Sequence, residues 1–300
     1  MRSRRRLVLL LGLAIVAQAG AQQERAQQAV RRQQGETLRV SATIDGSAIE
    51  IVTRVFKPEG AGPFPFVLYA HGRAGSAVER AAQANPIGSA HVHYWLSKGV
   101  AVIAPIRPGY GATGGADREE PFSRWSGNQC LGNPDFTRTS GNARAALLAT
   151  LEWTRAQPWA RPDRGLIEGQ SVGGMSTIAL AALNPPGVLG AVNFAGGSGG
   201  NPTASPGRSC KPGNLQATYT AYGREVRMPS LWLYASNDQY WGPDVPVQWH
   251  AAFAAGGSDT ELLLTEAVAG ADGHQLVNRG PDLWRAALDG FVKKVGLLAP

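Results

Sequence analysis

The chain has 300 residues, 43% of them hydrophobic and 17% charged, which places it among globular proteins. Its formal net charge is +7, but Arg2, Arg4, Arg5 and Arg6 supply more than half of that, and no lysine/arginine cluster follows Arg31-Arg32. The composition therefore speaks against a nucleic-acid partner, and two cysteines fall short of a structural zinc site.

The four arginines precede an apolar run over 7–17 and two A-x-A sites, Ala17-Gln18-Ala19 and Ala19-Gly20-Ala21. This is the layout of a secretory signal peptide over 1–21. The apolar run is too short for a comfortable membrane span, so no stable span is expected after cleavage; an uncleaved anchor is the alternative. Ser3-Arg4-Arg5-Arg6-Leu7 also resembles a twin-arginine export signal. The expected location is periplasmic or secreted. Residues 22–36 are polar and glutamine-rich and read as a flexible lead-in.

From residue 37 the pattern changes. Residues 38–44 and 49–56 alternate apolar and polar around the turn signal Asp45-Gly46, which predicts an antiparallel hairpin. Continuous apolar runs follow at 66–70, 100–104, 165–168, 188–194, 231–234 and 261–264, the signature of strands buried on both faces of a mainly parallel sheet. Helices are predicted between them. The first covers 142–155, with Ala143, Ala146, Leu147, Thr150, Leu151 and Thr154 on one face. Others cover 172–183, stopped by Asn184-Pro185-Pro186, then 247–255, closed by Gly256-Gly257, and 282–295. An antiparallel start followed by β-α alternation predicts one α/β domain over 37–300, a twisted sheet with helices on both faces.

Two stretches, 108–140 and 196–228, are rich in Gly, Pro, Asn and Ser and fit neither helix nor strand. Each follows a parallel strand and so begins at the carboxyl edge of the sheet, where α/β sites form. Each holds one cysteine. The expectation is a Cys130–Cys210 disulfide tying the two loops together over the site; two free buried thiols are the alternative. Trp125 and Trp241 lie in loops at the same edge and either line a pocket or pack the loops.

The pattern G-x-S-x-G occurs twice, around Ser171 and around Ser198, so it decides nothing alone in a chain with 38 glycines. Ser171 has a strand before it and a helix after it, and Gly169, Gly173 and Gly174 relieve the crowding of a tight turn. Ser198 is followed by Asn201-Pro202 and reads as a loop serine. Ser171 is the candidate nucleophile. A serine hydroxyl needs a base and the base an orienting acid, in the chain order Ser, Asp or Glu, His for this architecture. His274, in a glycine-rich loop after the last strand, is the candidate base; His250 sits inside a predicted helix beside Trp249. Asp238, just past the 231–234 strand, is the candidate acid. Among its rivals, Asp244 suits a helix cap, Asp259 a turn, and Asp272 the shaping of the His274 loop. For the oxyanion hole the expected donors are the Val172 amide and the Arg73 amide, with Ala74 as the alternative to Arg73. His71 is expected to shape that loop. The Arg73 side chain either meets an anionic substrate or faces solvent.

Together, His71-Gly72-Arg73, Arg107-Pro108-Gly109-Tyr110-Gly111, the 161–174 stretch around Ser171, Asn237-Asp238-Gln239-Tyr240-Trp241 and Asp272-Gly273-His274 resemble the α/β-hydrolase superfamily. Within it the chain is most similar to dienelactone-hydrolase-like and prolyl-oligopeptidase-like serine esterases. The resemblance implies the α/β-hydrolase fold and hydrolysis of a small-molecule carboxylic ester through an acyl-enzyme, with no metal or organic cofactor. Dienelactone hydrolases proper use a cysteine where this chain has Ser171, which argues against a dienelactone substrate. No β-propeller precedes the domain, unlike oligopeptidases of the usual build. A peptidase or amidase on the same triad is the first alternative, a non-catalytic binding protein the second.

Overall fold

The computed structural model describes residues 35–299; the expected signal peptide and nearly all of the polar lead-in lie outside them. Strands β1 (Glu36–Ile44) and β2 (Ser47–Phe56) pair antiparallel about Asp45-Gly46. Both turn residues have positive φ, 50° and 74°, as a tight type I′ hairpin requires. The chain continues through β3 (Phe64–Ala70), the short helix α1 (Ala77–Ala81), α2 (Ser89–Leu96) and β4 (Ala101–Pro105). A small hairpin follows, β5 (Trp125–Ser126) with β6 (Gln129–Cys130), and leads to α3 (Phe136–Arg155). Next come β7 (Ala160–Gln170), α4 (Val172–Ala181), β8 (Val188–Phe194), α5 (Pro212–Glu225) and β9 (Ser230–Ala235). The chain closes with α6 (Asp244–Ala254), β10 (Thr260–Thr265), α7 (Leu276–Arg279) and α8 (Pro281–Lys294).

Eight strands form one sheet in the order β1-β2-β4-β3-β7-β8-β9-β10. From β4 to β10 all neighbours are parallel, and only the N-terminal hairpin runs against them at β2. The chain steps from β3 outward to β4 and then returns past β3 to β7. The strand order thus reverses between β3 and β7, the kind of switch point where a crevice opens at the carboxyl ends of parallel strands.

Strand alternation builds two cores. Phe66, Leu68 and Ala70 of β3 face α3 to α6, meeting Leu151, Ile178 and Tyr219; Val67 and Tyr69 face the other side with Trp95, Leu288 and Phe291. All ten residues of α4 are buried, so this helix has no solvent face and holds its N-terminus rigidly under the crevice. Burial of a side chain such as Ile178 or Leu180 contributes about 1.5–3 kcal/mol.

Several elements depart from the sequence reading. The 196–228 stretch is not irregular throughout, because α5 occupies its second half. Pro212 starts that helix, and Leu215, Thr218, Tyr219 and Tyr222 form its buried stripe. In the 108–140 stretch, β5 and β6 make a hairpin, and α3 begins at Phe136 because the Asp135 carboxylate caps it, accepting the Arg138 N–H at 2.9 Å. Helix α2, unassigned from sequence, buries His91, Val92, Tyr94 and Trp95. Strand β10 is an edge strand with Leu264 exposed, although its apolar run suggested burial on both faces.

Cys130 and Cys210 are joined by a disulfide, with 5.2 Å between their Cα atoms. It links β6 to the start of α5 and so ties together the two long connections that leave the sheet at its carboxyl edge.

Candidate active site

Between the last residue of β7 and the first of α4 stands one residue, Ser171, at φ 59° and ψ −126°. Such a conformation is costly for an L-residue and persists only where the surroundings enforce it. Here the Ser171 N–H donates to the Phe194 carbonyl at 3.0 Å, and its carbonyl accepts the Met175 and Gly197 amides. The glycines either side are required by close approach. A Cβ on Gly173 would enter the carbonyl oxygens of Ala70 and His71, and one on Gly169 would lie 2.5 Å from the Gly173 carbonyl carbon. Ser198 lies in the loop after β8, its carbonyl accepting the Ser209 hydroxyl at 2.9 Å, with no elbow around it.

His274 sits in a 3-10 turn, Gly273–Gln275, after β10. Its Nε2 is 3.0 Å from Ser171 Oγ, and its Nδ1 is 3.0 Å from Asp238 Oδ2. The other oxygen of Asp238 accepts the backbone N–H groups of Tyr240 at 2.7 Å and Trp241 at 3.2 Å, which fixes the carboxylate. Tyr240 stacks on the imidazole with 3.9 Å between ring centroids, and Trp241 meets it edge-on at 5.3 Å. The Asp272 carboxylate accepts the His274 N–H and the Gln239 N–H, both at 2.9 Å, and so shapes the loop. The remaining alternatives are occupied elsewhere. Asp259 pairs with Lys294, and Asp244 opens α6. His250 bonds the Thr260 hydroxyl at 3.0 Å, and burial lowers its pKa. The structure thus brings Ser171, His274 and Asp238 into one hydrogen-bonded line at the carboxyl edge of the sheet.

The loop after β3 carries one of the two expected oxyanion donors, the Arg73 amide, and a buried ion pair holds it. Arg107 presents its guanidinium fork to Glu119, with Nε to Oε1 at 2.6 Å and Nη2 to Oε2 at 2.9 Å, while Tyr110 donates to the same carboxylate at 2.9 Å. Its third arm, Nη1, donates to the His71 carbonyl at 2.6 Å. The His71 ring accepts the Arg107 backbone N–H through Nε2 at 3.1 Å and donates from Nδ1 to the Gly72 carbonyl at 2.7 Å. Burial, and then the Arg107 charge, hold the His71 pKa well below its ordinary value, so this ring is neutral. The Arg73 side chain neither faces solvent nor stands free for an anionic ligand: it is paired with Asp117 and, at 2.7 Å, with Glu120. Val172 is the first residue of α4, a position whose amide has no partner within a helix. Val172, Arg73 and Ser171 line a common cleft of about 320 Å³; Ala74 does not line it, but shares a second depression with Arg73.

Sequence reasoning did not single out Glu119, the Arg73 partners or Tyr240. Arg107 stood in a noted motif without an assigned task. The available signal was the charged run Asp117-Arg118-Glu119-Glu120 in a glycine- and proline-rich loop at the site edge.

No protein-family model matches the chain, and no curated protein sequence matches it. Solved structures do. An esterase of Pyrococcus furiosus superposes with a TM-score of 0.58 at 14% identity, over 87% of this chain and 93% of that one. The acylaminoacyl peptidase of Pyrococcus horikoshii gives 0.57 at 14% identity over 86% of this chain. This chain spans only 41% of that peptidase's length. A Klebsiella pneumoniae protein assigned as a dienelactone hydrolase gives 0.51 at 17%, over 88% and 98%. The chain has the α/β-hydrolase fold. In this α/β-hydrolase scaffold Ser171 stands at the strand-order reversal, and the loops that follow β9 and β10 bring Asp238 and His274 to it. An imidazole set between a hydroxyl and a carboxylate can take the hydroxyl proton while the carboxylate stabilises the resulting cation. Among the described residues, no group of three or more His, Cys, Asp or Glu is arranged to hold a metal ion, and no helix is long and apolar enough to cross a membrane.

Proposed function

We propose that the protein is an exported serine hydrolase, dienelactone-hydrolase-like in build, that cleaves a carboxylic ester of a small molecule. The observation that carries this reading is the line Ser171–His274–Asp238, both links 3.0 Å, opening onto a cleft shared with Val172 and Arg73. Ser171 Oγ attacks the ester carbonyl carbon while His274 Nε2 takes its proton and Asp238 holds the imidazolium. The negative oxygen of the tetrahedral adduct accepts the Val172 and Arg73 amides. The bond to the alcohol oxygen then breaks, and His274 returns the proton to the departing alkoxide. Water attacks the acyl-Ser171 carbonyl and gives its proton to His274. The acid leaves and Ser171 regains its hydrogen.

Export is supported by the composition of residues 1–21 and by the Cys130–Cys210 bond, since disulfides persist in oxidising compartments. Esterases are among the similar structures, as are peptidases, and the latter keep an amidase reading in play.

The test is Ser171→Ala. Loss of both fluorophosphonate labelling and ester turnover is expected; undiminished turnover by the variant rules the assignment out. Comparing short-chain aryl esters with aminoacyl arylamides separates the two readings. Faster turnover of the arylamides moves the protein to the peptidases.

A further inference from the structure

The cleft beside Ser171 has walls that select its occupant. Trp125 stands half-buried on one side and donates its indole N–H to the Gly199 carbonyl at 3.3 Å. Trp241 lies beneath the cleft, only 2% exposed and anchored by its own N–H on the Ala195 carbonyl at 2.9 Å. The strip Gly199-Gly200 covers its ring and meets the Trp125 indole at Gly199. A Cβ on Gly200 would lie 2.8 Å from both the Trp241 ring and the Tyr240 carbonyl, so the strip lies flat against the indole because no side chain is there.

The Trp125 wall is also cross-linked. Trp125 pairs across the small hairpin with Cys130, Cys130 is bonded to Cys210, and the Cys210 N–H donates to the Gly199 carbonyl at 3.0 Å. Indole, disulfide and glycine strip therefore close on a single carbonyl oxygen. A stiff, flat wall suits a stiff, flat ligand, which gives up little conformational freedom on entering.

Size and charge narrow the class. At about 320 Å³ the cleft is at the small end of ligand sites, suited to one ring rather than a long acyl chain. Its two charged lining residues, Arg73 and Glu120, are paired with each other, so a carboxylate or ammonium on the acyl group would lose water without gaining a free counter-charge. Two lining residues carry a buried polar atom with no hydrogen-bond partner within the protein, Arg73 at Nε and Ser123 at Oγ. Of the two, only the Ser123 hydroxyl can both donate and accept.

We propose that the acyl half of the substrate is a neutral aromatic carboxylic acid carrying a ring hydroxyl, of the hydroxybenzoyl or hydroxycinnamoyl class, held against Trp125 and the glycine strip with its hydroxyl toward Ser123. This rests on the ester-hydrolase reading above.

The test compares kcat/KM for methyl 4-hydroxybenzoate and methyl 4-hydroxycinnamate with methyl butanoate and methyl octanoate. Conjugated aryl esters are intrinsically the less reactive series, so a preference for them has to come from binding. At least a tenfold aryl preference is expected in the native protein, falling at least tenfold in Trp125→Ala and kept in Trp125→Phe. Ser123→Ala should erase the advantage of the hydroxylated ring over methyl benzoate. Equal or faster turnover of the aliphatic series, or an unchanged ratio in Trp125→Ala, overturns the proposal. Fluorophosphonate labelling without turnover of either series overturns this acyl class and leaves the nucleophile standing. Loss of labelling as well removes the hydrolase reading with it.

Discussion

Arg107 and His71 grip each other twice: the guanidinium donates to the His71 carbonyl, and the His71 ring accepts the Arg107 backbone N–H. Both residues are buried, and the loop they fix carries the Arg73 amide. Removing one partner of a buried ion pair strands the other, here Glu119, at a cost of about 3–5 kcal/mol. Arg107→Ala is therefore expected to lower the free energy of urea unfolding by that amount. Arg107→Lys keeps the charge but not the three-armed fork, and should lower kcat even in the fraction that folds. Denaturation curves and kcat on the same preparations check both.

The neutral His71 ring gives a pH signature. Its pKa is depressed in the folded chain, so the unfolded chain takes up this proton first as pH falls. Its contribution to stability is whole above about pH 6.5, the unperturbed histidine value, and is lost as pH drops from there toward the folded pKa. Unfolding free energy should fall in that window with an added slope of up to about 1.4 kcal/mol per pH unit. The slope should be absent in His71→Gln. Equal acid slopes in the two proteins would refute the assignment.

On the proposed mechanism, Asp238→Asn tests how His274 is oriented. The amide oxygen can still accept the Tyr240 and Trp241 N–H groups, so the loop should keep its shape. The amide NH2, however, would face His274 Nδ1 and force the proton onto Nε2, where it blocks uptake of the serine hydrogen. A fall in kcat of roughly 10⁴ is expected with little change in melting temperature.

The disulfide closes a separation of 80 residues, worth about 4–5 kcal/mol in the chain-entropy model. Its reduction should lower the denaturation midpoint accordingly. It should also raise KM more than it lowers kcat. The cross-linked segments wall the cleft, whereas Ser171, Asp238 and His274 hang from strands the bond does not touch. Titration with a phosphine reductant, read as KM and kcat, checks this.

Much of this layout is readable in the chain itself. Parallel strands buried on both faces have to be apolar throughout, so β3, β4, β8 and β9 appear as uninterrupted runs. Ser171, Asp238 and His274 each follow a strand readable in the sequence, and local context separated them from Ser198, which has no helix after it, Asp259, which sits in a turn, and His250, which sits in a helix. Helix α5 stayed hidden because its buried stripe mixes Thr218 with Tyr219 in a stretch whose glycines and prolines signal loop. The clasp on the β3 loop stayed hidden for another reason. Arg73 meets Asp117 and Glu120 across 44 and 47 residues, and no local pattern encodes such a pairing.

The crowding at Gly169 and Gly173 separates two histories usually read as one. These positions exclude any side chain because backbone fills the space, and that holds whatever residue stands at 171. In a saturation library selected only for folded protein, both should stay glycine while position 171 drifts. A descendant that had lost Ser171 would therefore carry the glycine frame forward as a fossil of the turn.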